Sequence, residues 1–190
     1  MKNWNEKGGQ GYRGIRIAMP TNLRRHLQMP AANVVSMCFM HRNANEIESP
    51  NLLASLTKET GQIKSHRLGM TLIMVLSLVS KLRRGRAFNT GSEKKCHSSL
   101  VLTNLGRILS SVELPRTSEG CLILDGNLSL SSLEVYTLVR PTTYLSFAIL
   151  TYGGKMSINL AYNREVMNIE HADLILKEFK ELLLVAGAQE

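Results

Sequence analysis

The stretch "TYLSFAILTYGGKMSINLAYN", Thr143 to Asn163, has the clearest β-hairpin pattern in the chain. Two mostly apolar runs flank the pair Gly153-Gly154, which supplies the positive φ angles that a tight turn needs. The second run alternates in period two, with one face formed by Met156, Ile158, Leu160 and Tyr162. The sequence therefore predicts two antiparallel strands joined by a two-residue turn.

A further strand is predicted upstream of the hairpin, at "SSLVLTNLGRI", residues 98–108. It has the composition of a buried strand, yet it carries the polar Asn104 and, two positions later, Gly106. A buried Asn needs hydrogen-bond partners, and a nearby Gly indicates a turn or a close approach by another group. Asn104 is therefore a candidate either for a structural strand end or for a functional position.

The N-terminal region predicts two more strands. "YRGIRIAMP" alternates Ile15, Ile17 and Met19 with other residues, and we expect Pro20 to end this strand. "NVVSMCFMH", residues 33–41, is apolar on both faces, which favours a central strand. A loop is expected over residues 42–51.

Two helices are predicted next. The first is expected from Leu52 to Ile63. Its start signal lies just before it, where Ser49 is suitable as an N-cap and Pro50 suits the first helical position. The second helix, residues 67–85, is apolar enough to lie in the core and ends at Gly85. Its apolar stripe consists of Leu72, Val75, Leu76, Val79 and Leu82, and the cations of its last turn are Lys81, Arg83 and Arg84.

After a loop at 111–120, Asp125-Gly126 predicts a turn between two short strands. A C-terminal helix follows, capped by Asn168 and ended by Gly187, with an apolar stripe of Ala172, Ile175, Leu176, Phe179, Leu182 and Leu183. This order predicts a single α/β domain (an α+β sandwich) over residues 1–190, with a mixed, largely antiparallel sheet and helices on one face.

Charge is uneven along the chain. The net charge is +8, but residues 1–100 carry +11 and residues 101–190 carry −3. A basic half can indicate nucleic acid, a membrane surface or an anionic cofactor, and it can also be a solvated face. Aromatic residues are not interleaved with the basic ones, which argues against single-stranded nucleic acid as a ligand. Nucleic-acid binding therefore ranks third, below the two functions given at the end of this section.

The cysteines and apolar runs suggest a location. Cys38, Cys96 and Cys121 form no C-x-x-C motif, so neither a zinc site nor a disulfide framework is indicated. The N-terminus lacks an apolar signal core, and the longest apolar run, Leu68 to Val79, is too short to span a bilayer. We expect a cytoplasmic protein without a membrane span.

Catalytic motifs are not evident. Gly9 to Gly14 fits G-x-G-x-x-G, but a strand and not a helix is predicted after it, which argues against a dinucleotide site. No serine lies in G-x-S-x-G, and the spacing of the histidines is not that of metal ligands; they are His26, His41, His66, His97 and His171. We therefore predict no metal site and no catalytic residue within this chain.

Several stretches taken together resemble the C-terminal half of the chloramphenicol-acetyltransferase-like acyltransferases. This superfamily includes condensation domains, wax ester synthases and polyketide-associated acyltransferases. Pro20-Thr21-Asn22-Leu23-Arg24 matches the family motif Pro-x-Asn-x-Arg. Thr103-Asn104-Leu105-Gly106 matches the motif Ser/Thr-Asn-x-Gly. The third match is the hairpin Tyr152 to Asn163. The departures are Ala32-Asn33, where the family has Gly-Asn, and Asn163, where it has Asp. The resemblance covers about residues 13 to 186.

The resemblance implies an incomplete acyltransferase. Family members are pseudo-dimers of two halves around a tunnel, and Asn104 and Gly106 would lie at its wall. The family motif His-His-x-x-x-Asp-Gly, whose His acts as general base, does not occur in this sequence. Arg24 therefore lacks its usual Asp partner, so it is paired by another chain, paired locally or exposed. The donor would be acyl-CoA or an acyl carrier thioester, and no resident cofactor is implied.

Two functions from different classes remain open. One is the acceptor-side half of an acyltransferase or condensation-type enzyme that works with a separate His-bearing chain. The other is a non-catalytic, self-associating interaction module. Both predict a homo-oligomer or a complex with an N-terminal-half chain, because an isolated half exposes an apolar seam. Since the family pattern starts almost at Met1, we expect a split or truncated gene.

Overall fold

The computed structural model describes residues 14–23, 35–65, 69–82, 98–139 and 143–187. The chain divides into two compact units, Met1–Val101 and Leu102–Glu190. Strand β3, Ser98–Arg107, begins in the first unit and ends in the second. The prediction of a single domain over the whole chain stays a prediction.

The first unit is built on an antiparallel strand pair. Strand β1, Gly14–Asn22, pairs with β2, Val35–Asn43, along their whole lengths, and it runs parallel to the start of β3. Gly14 is required by close approach, because a Cβ placed there would lie 2.4 Å from the carbonyl oxygen of Arg42. The described helices of this unit are α1, Ala44–Ile47, α2, Leu52–Ser65, and α3, Gly69–Leu82.

The core of the first unit lies between β2 and α2. Cys38 and Met40 are buried against Ile63, and the partly buried Met19 and Leu56 pack around them. Burial alternates along β2, whose even-numbered residues turn inward, as the period of a strand requires.

Three predictions for this unit are wrong. β1 does not end at Pro20, which pairs opposite Met37, because proline lacks only an N–H donor and a strand can continue where that donor is not needed. β2 is not central: in the strand order β2-β1-β3 of this unit it comes first, and Phe39 is 47% exposed. The expected loop after β2 contains α1.

The cap of α1 explains that helix. The side chain of Asn43 accepts a hydrogen bond from the Glu46 backbone N–H at 3.0 Å, and the Glu46 carboxylate accepts one from the Asn43 N–H at 2.8 Å. This reciprocal capping box satisfies two backbone donors that the helix itself cannot pair. The pattern Asn-x-x-Glu at residues 43–46 is the sequence signature of this helix start.

The second unit contains the predicted hairpin. Strand β6, Thr143–Tyr152, pairs with β7, Lys155–Tyr162, and the turn residues Gly153 and Gly154 have φ angles of +54° and +70°. β6 also neighbours β3, and the Ile108 N–H donates to the Thr151 carbonyl at 3.1 Å. The hairpin prediction is confirmed.

Two short strands and a helix complete this unit. β4, Ile123–Asp125, and β5, Leu128–Ser129, flank the predicted turn at Asp125-Gly126. Helix α4 spans Ile169–Gly187, and its backbone N–H at His171 donates to the Asn168 side chain at 3.0 Å. Both predictions, the turn and the cap, are confirmed.

The hairpin of the second unit is covered on two sides. On one side Phe147 of β6 stacks on Phe179 of α4, with ring centroids 4.6 Å apart. On the other side, Leu150 and Tyr152 pack with Cys121 and Leu122, which belong to the segment 108–139. Strand β6 is consequently buried along nearly all of its length.

The strands are mixed and largely antiparallel, and helices pack on them in both units, so the α+β fold class is confirmed. Within the described residues, no helix combines the length and the apolar character that crossing a membrane requires.

Candidate interaction surface

An apolar stripe is exposed on α3 in the first unit. Met74, Leu78 and Leu82 lie on one helical face at i, i+4 and i+8, with exposed fractions of 68%, 59% and 74%, and Val75 lies beside them. The sequence predicted that Val75 and Leu82 would be buried, and this is wrong. The helix is apolar around most of its circumference, so packing one side of it still leaves apolar side chains exposed.

A groove of about 620 Å³ lies between β2 and α2. Its strand side includes the consecutive residues Met37, Cys38 and Phe39, so the groove borders the edge of β2 and not one face alone. The remaining lining residues come from the end of β2, α1 and α2: Arg42, Glu46, Ser55, Lys58, Glu59, Gln62 and Ile63.

Arg42 is held in place inside this groove. Its guanidinium forms a salt bridge with the Glu59 carboxylate and donates to the Ser55 hydroxyl at 3.1 Å and to the carbonyl oxygen of His41 at 2.8 Å. The Arg42 side chain is only 14% exposed. Charge-assisted bonds of this kind fix both side chains and neutralise both charges. No local sequence pattern indicates this pair, whose members are 17 positions apart on a strand and a helix.

Asn104 is exposed in the structure, so of its two interpretations the buried strand-end amide is wrong, and the functional position stays a prediction. Its side-chain oxygen accepts a hydrogen bond from the Gly106 N–H at 2.9 Å, and Gly106 has φ +65°. A Cβ at Gly106 would meet no atom within 4 Å, so glycine is favoured there by the backbone angle and not by a close approach. The two residues form a local turn near the end of β3.

Other predicted features lie outside the described residues. They include Arg24, Cys96, and the histidines His26, His66 and His97. Most basic residues of the N-terminal half also lie there, so the structure does not describe the charged surface that the sequence predicts.

The described residues contain few groups poised for chemistry. They include no cluster of three or more His, Cys, Asp or Glu side chains that could hold a metal ion. Cys38 and Cys121 are buried free thiols. The phenol of Tyr136 donates to the Glu134 carboxylate, and this hydrogen bond and the nearby negative charge raise the pKa of Tyr136. Tyr136 is 72% exposed, so this pair lies on the surface and not in a pocket.

Comparisons with known proteins add no relatives. No family model matches the chain, and searches of curated proteins and of solved structures found no match. The likeness to the acyltransferase superfamily therefore stays a prediction.

Proposed function

We propose that this protein is a non-catalytic interaction module that self-associates. The observation that carries the proposal is the exposed apolar stripe of α3, Met74, Val75, Leu78 and Leu82. Exposed apolar patches of this kind mark surfaces that another chain covers, because burial of apolar area is the main favourable term in association.

A second copy of the chain is the partner that fits this stripe best. The only charged residue of α3 is Lys81, in its last turn, so two stripes can meet without opposing charges along most of their length. An antiparallel pair of such helices keeps the two Lys81 side chains at opposite ends of the contact. Four large side chains from each copy then supply the apolar centre that a dimer interface needs.

The experiment is sedimentation velocity over a range of protein concentrations, on the wild type and on two matched variants. Leu78→Lys places a charge at the centre of the stripe and is expected to weaken the dimer at least ~10-fold. Leu53→Lys makes the same change on α2, away from the stripe, where Leu53 is 76% exposed, and should leave association unchanged. A wild type that stays monomeric at every concentration would overturn the proposal.

The acceptor-side half of an acyltransferase is the second candidate. The Ile108–Thr151 hydrogen bond joins the ends of β3 and β6, so Asn104–Gly106, in the last residues of β3, and the turn Gly153–Gly154, after β6, lie at the ends of neighbouring strands of the second unit. That arrangement suits motif residues gathered at one end of a strand pair. We expect no acyl-CoA turnover by the purified chain alone, because the general-base motif is absent from the sequence.

The test of this candidate is a thioester-release assay with and without a separate chain that carries His-His-x-x-x-Asp-Gly. Release that requires both chains and falls in an Asn104→Ala variant would support it. Turnover by this chain alone that is lost on His41→Ala or His171→Ala would contradict it.

A further inference from the structure

We propose that the groove between β2 and α2 binds an extended, mostly apolar segment of a partner protein that carries a carboxylate opposite Lys58. None of the residues that line the groove belongs to α3, and the site goes beyond the proposed self-association. Its occupant is inferred from the backbone edge, the side chains and the charges that line the groove.

The backbone of β2 favours an extended occupant. Among the described strands β2 pairs with β1 alone and comes first in the strand order. The groove borders three successive residues of β2, Met37, Cys38 and Phe39, at this edge. The N–H and C=O groups of a strand edge are ready to pair with a further strand, and an extended segment can satisfy them by main-chain hydrogen bonds.

The side chains of the groove favour an occupant that is mostly apolar. Arg42 and Glu59 neutralise each other, and the Glu46 carboxylate accepts from the Asn43 N–H. A charged residue placed opposite the Arg42–Glu59 pair would compete with a salt bridge that already exists. The apolar side chains of Met37 and Phe39, on one face of β2, instead offer contacts for alternate side chains of an added strand.

Lys58 sets the one charged position of the occupant. Lys58 is one of the α2 residues that line the groove and has no salt bridge to a carboxylate of the described residues, whereas Arg42 is paired with Glu59. A carboxylate on the bound segment would complement this charge, which steers association and fixes the register of the segment. Lys64 lies on the same helix but does not line the groove, so it provides a matched control.

The first experiment measures binding of a labelled peptide, Thr-Val-Thr-Val-Glu-Val-Thr-Val-Thr, by fluorescence anisotropy up to about 1 mM, since a weak single-strand contact is expected. Two versions of the peptide carry N-methyl groups on alternate residues, one set on each edge of the strand. Addition to β2 predicts that one methylated version binds and the other does not, because only one edge of the peptide pairs with the protein. Equal binding of both versions, or no binding of the parent peptide, would overturn the proposal.

The second experiment tests the charge. Lys58→Glu is expected to weaken binding of the parent peptide at least ~10-fold, and a peptide with Lys in place of its Glu should recover binding to that variant. Lys64→Glu makes the same charge change outside the groove and should leave binding unchanged. Both positions are exposed, so neither substitution disturbs the core. Equal effects of the two substitutions would overturn the assignment of Lys58.

Sedimentation velocity with saturating peptide distinguishes this site from the self-association surface. If the dimer persists with peptide bound, the two sites are separate, as proposed. If the peptide dissociates the dimer, a second copy occupies the groove and the assignment to a partner segment is overturned. A wild type that is monomeric but binds the peptide would contradict the proposed self-association and leave the groove assignment intact.

Discussion

Asn104 makes a local turn with Gly106 while its side chain remains in solvent. A hydrogen bond in water contributes little net free energy, because water replaces the lost partner. We predict that Asn104→Ala lowers the free energy of unfolding by less than ~1 kcal/mol. Gly106→Ala should cost more, about 1–2 kcal/mol, because an L-residue is strained at φ +65°.

Urea denaturation of the wild type and the two variants measures this difference. The m-value should not change, since neither substitution alters the surface exposed on unfolding. A loss above ~2 kcal/mol for Asn104→Ala alone would show that the residue is a buried structural amide after all.

The two glycines of the hairpin turn differ in their surroundings. A Cβ at Gly153 would lie 2.8 Å from the Cys121 sulfur, whereas the nearest atom to a Cβ at Gly154 is 3.9 Å away. We predict that Gly154→Ala costs about 1–2 kcal/mol from its positive φ alone. Gly153→Ala should cost roughly 2–4 kcal/mol, because overpacking adds to the same strain.

A double-mutant cycle with Cys121→Ala checks the origin of the extra cost. Removing the sulfur should recover most of the difference between the two glycine variants, since the clash involves that atom. If Gly153→Ala lowers the free energy of unfolding equally with Cys and with Ala at position 121, the clash with the Cys121 sulfur is not the cause.

These residues show what the sequence can indicate at this scale. The pair Gly153-Gly154 predicts a tight turn from local conformational preference alone. The contact between Gly153 and Cys121 and the salt bridge between Arg42 and Glu59 join positions far apart in the chain, so neither leaves a local pattern. The interpretation of Asn104 as a buried strand-end amide fails because β3 changes from buried to exposed along its length, which its local sequence does not indicate.

Tyr152 of β6 joins two parts of the second unit, because its side chain hydrogen-bonds the segment 108–139 to the hairpin. Its hydroxyl accepts from the Leu122 N–H at 2.9 Å and donates to the Leu130 carbonyl at 2.7 Å, and the residue is only 5% exposed. One side chain therefore satisfies two backbone groups of a segment that has little regular structure of its own. The Leu122 N–H is buried, so no water can replace the hydroxyl there, and the Leu130 carbonyl is partly buried.

We predict that Tyr152→Phe lowers the free energy of unfolding by about 2–3 kcal/mol, because a buried donor and a partly buried acceptor both lose their partner. Tyr162→Phe, on the same hairpin but partly exposed, is the control and should cost under ~1 kcal/mol. Thermal and urea unfolding of both variants measure this. Equal small losses would mean that Leu122 and Leu130 find other partners.

Periodicity identifies most elements correctly but not their surroundings. The helices α2, α3 and α4, and the strands β3, β6 and β7, lie where the sequence patterns predict them. The predictions that β2 is central and that Val75 and Leu82 of α3 are buried are wrong. Apolar residues indicate what a chain tends to bury, yet they do not state whether its own residues or another chain will cover them.

For the whole molecule, the difference in net charge between the two halves is established by the sequence alone. The structure does not locate this charge, because most of the basic residues lie outside the described ranges. The α+β class follows from the order of elements, whereas the exposed stripe of α3 is evident only in three dimensions. We propose that a second copy of the chain covers that stripe.

Amide hydrogen exchange at several protein concentrations tests this claim most directly. Since α3 and α4 are both helices with exposed apolar residues, α4 provides an internal reference. Self-association through α3 predicts that protection of the 69–82 amides rises with protein concentration, while protection of the 169–187 amides stays constant. If protection of the α3 amides stays constant across the concentration range, self-association through α3 is contradicted. This holds whether or not the wild type dimerises.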